Sequence, residues 1–414
     1  MSRTLRVFTT IFLVLLSLSL LAGMIWANTI YTRFHPVQKD FLVPWLAARA
    51  FFTNGGNPYS ADAAQPAQFI YYGRLALQGE DPLLLSLPFP VELFYFPFAI
   101  ISEYHLASGI WMTCLEISLI ILAFLSLKLT GWKPTRTLLP VILIFSVLWI
   151  YGWFALAGNN GIIFIAAAIA GLLLALRNGQ DELTGALLIF PLIKPDVGGL
   201  FVLFILWWAI YHRRGRILAG FVMILVFLLA ISFFLYPSWF MPFISGLLSH
   251  LQHRETLTPG GILASWWPTV GPRIGLVLTG LTGILLFIEW RKIRRKEFRH
   301  FIWTASLVIA TTPLLGIPAS ISDYVILIIP LVLILSIMAE RWPSPGGWGV
   351  AGFVLLGIFF GPWLIAGGLF VSGISTSNWF AILAFLFPVI LVTGLYWMRW
   401  WAISPPRTWR ESLP

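Results

Sequence analysis

What this chain lacks is charge. Only 10% of its 414 residues are Asp, Glu, Lys or Arg, where a soluble domain carries about 25%. A surface so poor in charge cannot be kept in water. That excludes a soluble enzyme, a disordered chain and a nucleic-acid-binding module. Cysteine is almost absent too. Cys114 stands alone, so an internal disulfide and a cysteine-built metal cage are both ruled out. The six histidines (His35, His105, His212, His250, His253, His300) contain no His-Glu-x-x-His pair. Internal repeats of the kind that many transporters carry are not visible either.

What is abundant is apolar matter: 59% of residues are hydrophobic and 16% aromatic. The predicted class is an all-α polytopic membrane protein, because the apolar runs are far longer than barrel strands need. Runs of about 17–25 residues can cross a bilayer. They fall near 7–28, 105–129, 137–157, 161–177, 216–236, 270–290, 301–316, 323–339, 347–371 and 378–400. The first run exceeds a signal-peptide core and lacks a small-x-small cleavage site, so it reads as an uncleaved helix.

The basic residues orient these spans. The formal charge of +10 comes from 26 Lys and Arg against 16 Asp and Glu. Nineteen of the 26 fall on alternate loops and termini, with a dense run at 291–299, and six fall on the other side. By the positive-inside rule both termini are cytoplasmic, including a 401–414 tail, and 29–104 faces outward. The run at 291–299 touches anionic headgroups rather than nucleic acid. One stretch, 183–211, is long for one helix and short for two. Pro191, Lys194, Pro195, Gly198 and Gly199 sit at its middle. It reads as a broken, re-entrant hairpin, with a single kinked helix as the alternative.

The outward segments carry most of the candidate chemistry. Residues 41–52 are apolar at helical spacing with Arg49 as the only charge. They predict an amphipathic helix lying in the membrane interface, with Asp40 just before it in N-cap position and Asn54-Gly55-Gly56-Asn57-Pro58 as its stop. A second outward segment, 237–269, holds His250, His253, Arg254 and Trp266-Trp267. A third, 316–323, ends at Asp323.

These residues, taken in order, resemble a known family. Asp40-Phe41, Ala47-Ala48 and Gly56-Asn57-Pro58-Tyr59 are similar to the first outer loop of GT-C-fold glycosyltransferases, above all the alpha-1,2-mannosyltransferase-like group. Phe94-Tyr95-Phe96-Pro97-Phe98 resembles that group's aromatic-proline segment. The stretch from Gly185 to Lys194-Pro195 resembles its Lys-Pro break, and Asp323-Tyr324 its late acidic-Tyr motif. The resemblance covers most of the chain as a single domain of about 10–12 membrane segments. It implies transfer of a hexosyl, chiefly mannosyl, residue from a polyprenyl-phosphate donor to a lipid or glycan acceptor outside the membrane. It implies inversion, a monomer, and neither metal nor cofactor. It also places the catalytic carboxylate on Asp40, with no second acid beside it.

Such a reaction needs a base, cations for the departing phosphate, and reactants held in line. Asp40 is the candidate base, or else a helix cap. Lys194 is the candidate phosphate contact, since a charge inside a membrane segment is costly and usually functional; snorkelling is the alternative. His250, His253, Arg254 and Arg273 are further phosphate candidates, or solvated loop residues. Asp323, Tyr324, Glu92, Tyr59 and Trp266 are candidate sugar or acceptor contacts. Asp323 could equally cap a helix, and Trp266 could belong to an interfacial belt. Glu116 lies within a span and Glu289 near a cytoplasmic end, paired with nearby basic residues. Two rival functions stay open: a lipid-linked glycan flippase or transporter, and a GT-C enzyme with an arabinose or aminoarabinose donor.

Overall fold

The computed structural model describes residues 3–253, 258–293, 298–317, 319–341, 345–371 and 376–403. Among them there are helices and turns but no β-strand. In chain order the helices are α1 (Arg3–Phe34), α2 (Lys39–Phe52), α3 (Ala61–Tyr72), α4 (Phe89–Ala99), α5 (Tyr104–Thr130), α6 (Leu138–Leu148), α7 (Ile150–Ala157), α8 (Ile162–Arg177), α9 (Asp181–Leu187) and α10 (Ile189–Ile193). They continue as α11 (Pro195–Tyr211), α12 (Gly215–Leu235), α13 (Phe240–His253), α14 (Pro259–Trp266), α15 (Gly271–Lys292), α16 (Phe298–Thr311), α17 (Ile328–Arg341), α18 (Pro345–Val371), α19 (Thr376–Trp397) and α20 (Arg399–Ile403).

Five described helical segments are long and apolar enough to cross a membrane: 5–34, 104–130, 215–235, 271–292 and 321–341. The pair α6 and α7, bent by 50°, makes a sixth if it is one broken span. Shorter apolar helices occur at 162–177, 195–211, 352–368 and 382–397. The chain is therefore an all-α, multi-pass membrane protein. The run at 301–316 differs from expectation. Its helix, α16, has only 14 residues, ends in a 3-10 turn, and is buried on every side from His300 to Thr311. Helix apolar all round is a core element as readily as a span.

The chain forms two compact units. The first comprises Met1–Ser118, Leu156–Gly161 and Leu229–Arg254. In it α1 meets the start of α5 antiparallel. Arg33 pairs with Glu103 at 3.4 Å, and Thr32 Oγ1 donates to His105 O at 3.3 Å. Gly109 lets the two backbones touch, since a Cβ there would lie 2.8 Å from Thr29 N. Further along, Asn28 Nδ2 donates to Thr113 Oγ1 at 3.0 Å and to Glu116 at 2.9 Å. This gives the membrane-embedded Glu116 a partner, as apolar surroundings require.

Helices α2 and α4 form the second layer of this unit. The helix over 41–52 is present, but its apolar face is not spent on lipid. Phe41, Leu42, Trp45, Ala47 and Ala48 are all buried, with Phe41 edge-on to Phe98 at 6.1 Å. Trp45 Nε1 donates to Phe98 O at 2.9 Å. Arg49 donates to Ala99 O at 2.8 Å and to Ile101 O at 2.9 Å. A cation at the C-terminus of α4 satisfies its orphan carbonyls and opposes its dipole. The lone charge in the run thus clamps α2 to α4. Gly246 on α13 closes the layer, because any Cβ there would collide with Leu85 O.

The second unit comprises Leu119–Ala155, Ile162–Leu228 and Glu255–Pro414. Its core is the segment 321–341, a 3-10 turn leading into α17, which is almost wholly buried. Helices α9 to α11 break at Lys194, whose backbone is neither helical nor extended (φ −122°, ψ 81°). Beyond the break the chain doubles back, with Gly198 lying directly on Pro191. Asp181, before the segment, pairs with Arg214, after it, at 3.1 Å. The two ends of the stretch are thus held together. At the far side of this unit Glu289 is buried between Lys292 at 3.1 Å and Arg399 at 3.0 Å.

Candidate functional site

In the first unit the site is built around Asp40. Helix α2 starts two residues earlier than expected, and its N-cap is Gln38. Asp40 therefore lies in the first turn rather than at the cap, where its negative charge favours the helix N-terminus. The side chain is exposed. Its Oδ2 accepts a hydrogen bond of 2.9 Å from Asn160 Nδ2.

Asn160 is delivered by the turn at 158–161, Gly-Asn-Asn-Gly. Asn159 takes a left-handed conformation, φ +50°, which Asn tolerates better than most residues. Two groups of α5 hold it there. Trp111 Nε1 donates to Asn159 O at 3.0 Å, and Asn159 Nδ2 donates to Ser108 Oγ at 2.9 Å. Trp111 in turn stacks on Tyr95 (4.9 Å, 24°) and packs against Phe41 at 5.3 Å. An exposed carboxylate is thus aimed by an amide whose own backbone is anchored to α5. Such a group can accept a proton or bind a cation.

Tyr95 is buried, and its phenol is pushed up by that burial and then by the charges of Glu92 and Asp40. Glu92, expected as a sugar contact, is fully buried on α4. Among the described residues neither of its oxygens has a hydrogen-bond partner, and burial pushes its carboxyl well above the usual range. Tyr59 is buried as well, and its hydroxyl donates to Leu87 O at 2.9 Å. Tyr59, expected as a sugar contact, packs in the core of this unit. His250 is half-buried on α13. His253 ends that helix, while its side chain and Arg254 lie outside the described residues.

In the second unit Lys194 and Asp323, 129 positions apart, form an ion pair. Asp323 is nearly inaccessible; its other oxygen accepts from Ser320 N at 2.8 Å, closing a capping box with Ser320. Of the two readings held open for Asp323, the helix cap is present, and the ion pair is additional. Tyr324, expected as a sugar or acceptor contact, is buried and stacked on Tyr151 (5.6 Å, 28°). Beside the pair lies a cavity of about 10 Å³ lined by Asp196, Thr312, Asp323 and Tyr324. That is room for about one water. Arg273 is exposed in the first turn of α15. Trp266 is partly exposed at the end of α14 and meets Trp267 edge-on at 6.1 Å.

The structure thus brings Lys194 to Asp323 and Asn160 to Asp40. Asn160 was missed in the sequence because 158–161 reads only as a boundary between apolar runs. The doubled Asn between two Gly was the available signal. Asp196, two positions after Lys194, was passed over beside the more conspicuous Lys-Pro break. Among the described residues no three His, Cys, Asp or Glu are grouped to hold a metal ion. Compared with protein-family models and with curated proteins, the chain matches none.

Proposed function

We propose that this chain is a membrane glycosyltransferase of GT-C type, using a polyprenyl-phosphate sugar and the carboxylate of Asp40 as base. The observation that supports it is the exposed Asp40 held by Asn160. In the reaction the acceptor oxygen attacks the anomeric carbon as its proton passes to Asp40. The bond from that carbon to the phosphate oxygen breaks, and the electron pair leaves with the phosphate. Attack opposite the leaving group inverts the centre. The donor sugar is a hexose, with mannose the first to test, and the acceptor is a lipid or glycan. The site faces outward, with both termini cytoplasmic, following the distribution of basic residues.

The test is Asp40→Asn in nanodiscs, assayed for transfer from polyprenyl-phosphate mannose. Loss of about 10²–10⁴-fold is expected for removal of a general base. Transfer at the wild-type rate removes Asp40 from the mechanism. A second reading, a lipid-linked glycan flippase, is favoured by the buried Lys194–Asp323 pair, since paired charges within membrane segments mark substrate pathways. It predicts lipid translocation that Asp40→Asn leaves intact.

A further inference from the structure

The turn at 73–80, between α3 and α4, presents two leucines to the outside. Leu75 is 49% exposed and Leu77 60%. Phe69 and Ile70, on the last turns of α3, are 53% and 45% exposed. In water this apolar display would be costly. Yet the turn is built to hold it rigidly. Gly73 ends α3 in the left-handed region (φ +72°), and Gly79 closes the turn at φ +93°. Arg74 grips Glu80 with two hydrogen bonds, at 2.7 and 2.8 Å. That grip, with the bond from Leu77 N, holds the Glu80 carboxyl down to about 2, so the clasp stays ionised at physiological pH.

Part of the turn's backbone is paired within the turn and with α3. Leu77 N donates to Glu80 at 2.8 Å, Ala76 N to Gln68 Oε1 at 3.0 Å, and Glu80 N to Leu77 O at 3.0 Å. Gln68 Nε2 also ties Pro82 O at 2.7 Å. Internal pairing of backbone groups is what an apolar medium demands and what water makes unnecessary. The turn's two charges cancel each other.

We infer that residues 73–80 are a wedge that seats Leu75 and Leu77 in the lipid surface of the protein's own membrane. The same unit contains the span α1, apolar and exposed along its length from Leu5 to Trp26. Exposed apolar residues also occur at Phe34, the last residue of α1, and beyond the spans at Phe96 and Ile100, before α5. Helix α3 and the wedge add Phe69, Ile70, Leu75 and Leu77 to the exposed apolar surface of that unit. The wedge's expected depth is on the order of 5–10 Å, the headgroup–acyl boundary. There it would fix the level of α2 and α3 against the bilayer, and hence the height of Asp40. It holds whether or not the chain transfers sugar.

The experiment uses the full chain in nanodiscs of phosphatidylcholine and phosphatidylglycerol, with Cys114→Ala to remove the native thiol. A nitroxide is attached at Leu77→Cys, and separately at Asp62→Cys on the exposed start of α3. Collision with oxygen, which concentrates in lipid, is compared with collision with a water-soluble nickel chelate. The wedge requires the oxygen-to-nickel ratio to be severalfold higher at 77 than at 62. Equal, nickel-accessible labels would overturn it. Exclusion of both reagents at 77 would also overturn it, by showing a protein cover in place of lipid. Adding Arg74→Ala should mobilise the label at 77 and lower its ratio toward that at 62. An unchanged ratio would show that the Arg74–Glu80 clasp is not what holds the wedge.

Discussion

Breaking the Lys194–Asp323 pair gives an asymmetric result that can be worked out from burial. Removing one partner of a buried pair costs about 3–5 kcal/mol, because the other charge is left uncompensated. The two partners differ in escape. The Asp323 side chain is 2% exposed and the Lys194 side chain 22%. Lys194→Met strands a carboxylate with Ser320 N as a remaining donor, so its cost should sit near the top of that range. Asp323→Leu strands an ammonium on a flexible stem that can reach polar surroundings. Its cost should sit near the bottom, with the lost capping bond adding about 1 kcal/mol. The double variant Lys194→Met, Asp323→Leu restores an apolar contact, and should fall within about 1–2 kcal/mol of wild type. The assay is reversible unfolding in mixed micelles by titration with dodecyl sulfate, run as a double-mutant cycle. Additive single costs, with the double variant the least stable, would refute the reasoning. The same double variant bears on function. If it keeps wild-type donor affinity, Lys194 is a structural partner and not a phosphate contact.

Further outcomes follow from the first unit. Asn160→Ala should lower transfer by about tenfold, the worth of roughly 1.4 kcal/mol of a hydrogen bond to an exposed carboxylate. The loss should fall in kcat, with KM little changed, and Asn160→Ser, which keeps a donor, should recover part of it. Wild-type kcat in Asn160→Ala would remove its positioning role. For Glu92 the sign follows from burial. Its native carboxyl is held well above the ordinary range, so the folded state binds more protons than the unfolded state. That contribution is complete below the ordinary glutamate range and fades as pH rises through the native value. Glu92→Gln should therefore match wild type in acid, exceed its stability at neutral and alkaline pH, and flatten the pH profile. Chemical denaturation across pH 4–9 reads this, and a Gln variant that is less stable at pH 8 would contradict it.

Much of the architecture was open to reading in the sequence, and for a simple reason. Lipid solvates apolar side chains and nothing else, so composition alone marks the chain as a helical membrane protein. The stop at Asn54-Gly55-Gly56 was equally legible, because turn chemistry is local; α1, read as 7–28, runs on to Phe34. The break at Lys194 was visible too, since two prolines and two glycines cannot continue a helix unperturbed.

What tertiary structure decided was where each polar group found its partner. Arg49 looked like the lone charge of an interfacial helix and instead clamps α2 to α4. Asp323 looked like a ligand or a cap and holds both Ser320 and Lys194. Glu92 and Tyr59 looked available and are buried. Asp40 met its amide 120 positions away. Periodicity can tell that a residue is apolar or polar, and on which face of its own helix it falls. It cannot tell which distant helix closes over that face. In a low-dielectric interior that is the choice that matters, because an unpaired polar group there is expensive and a paired one is held in place.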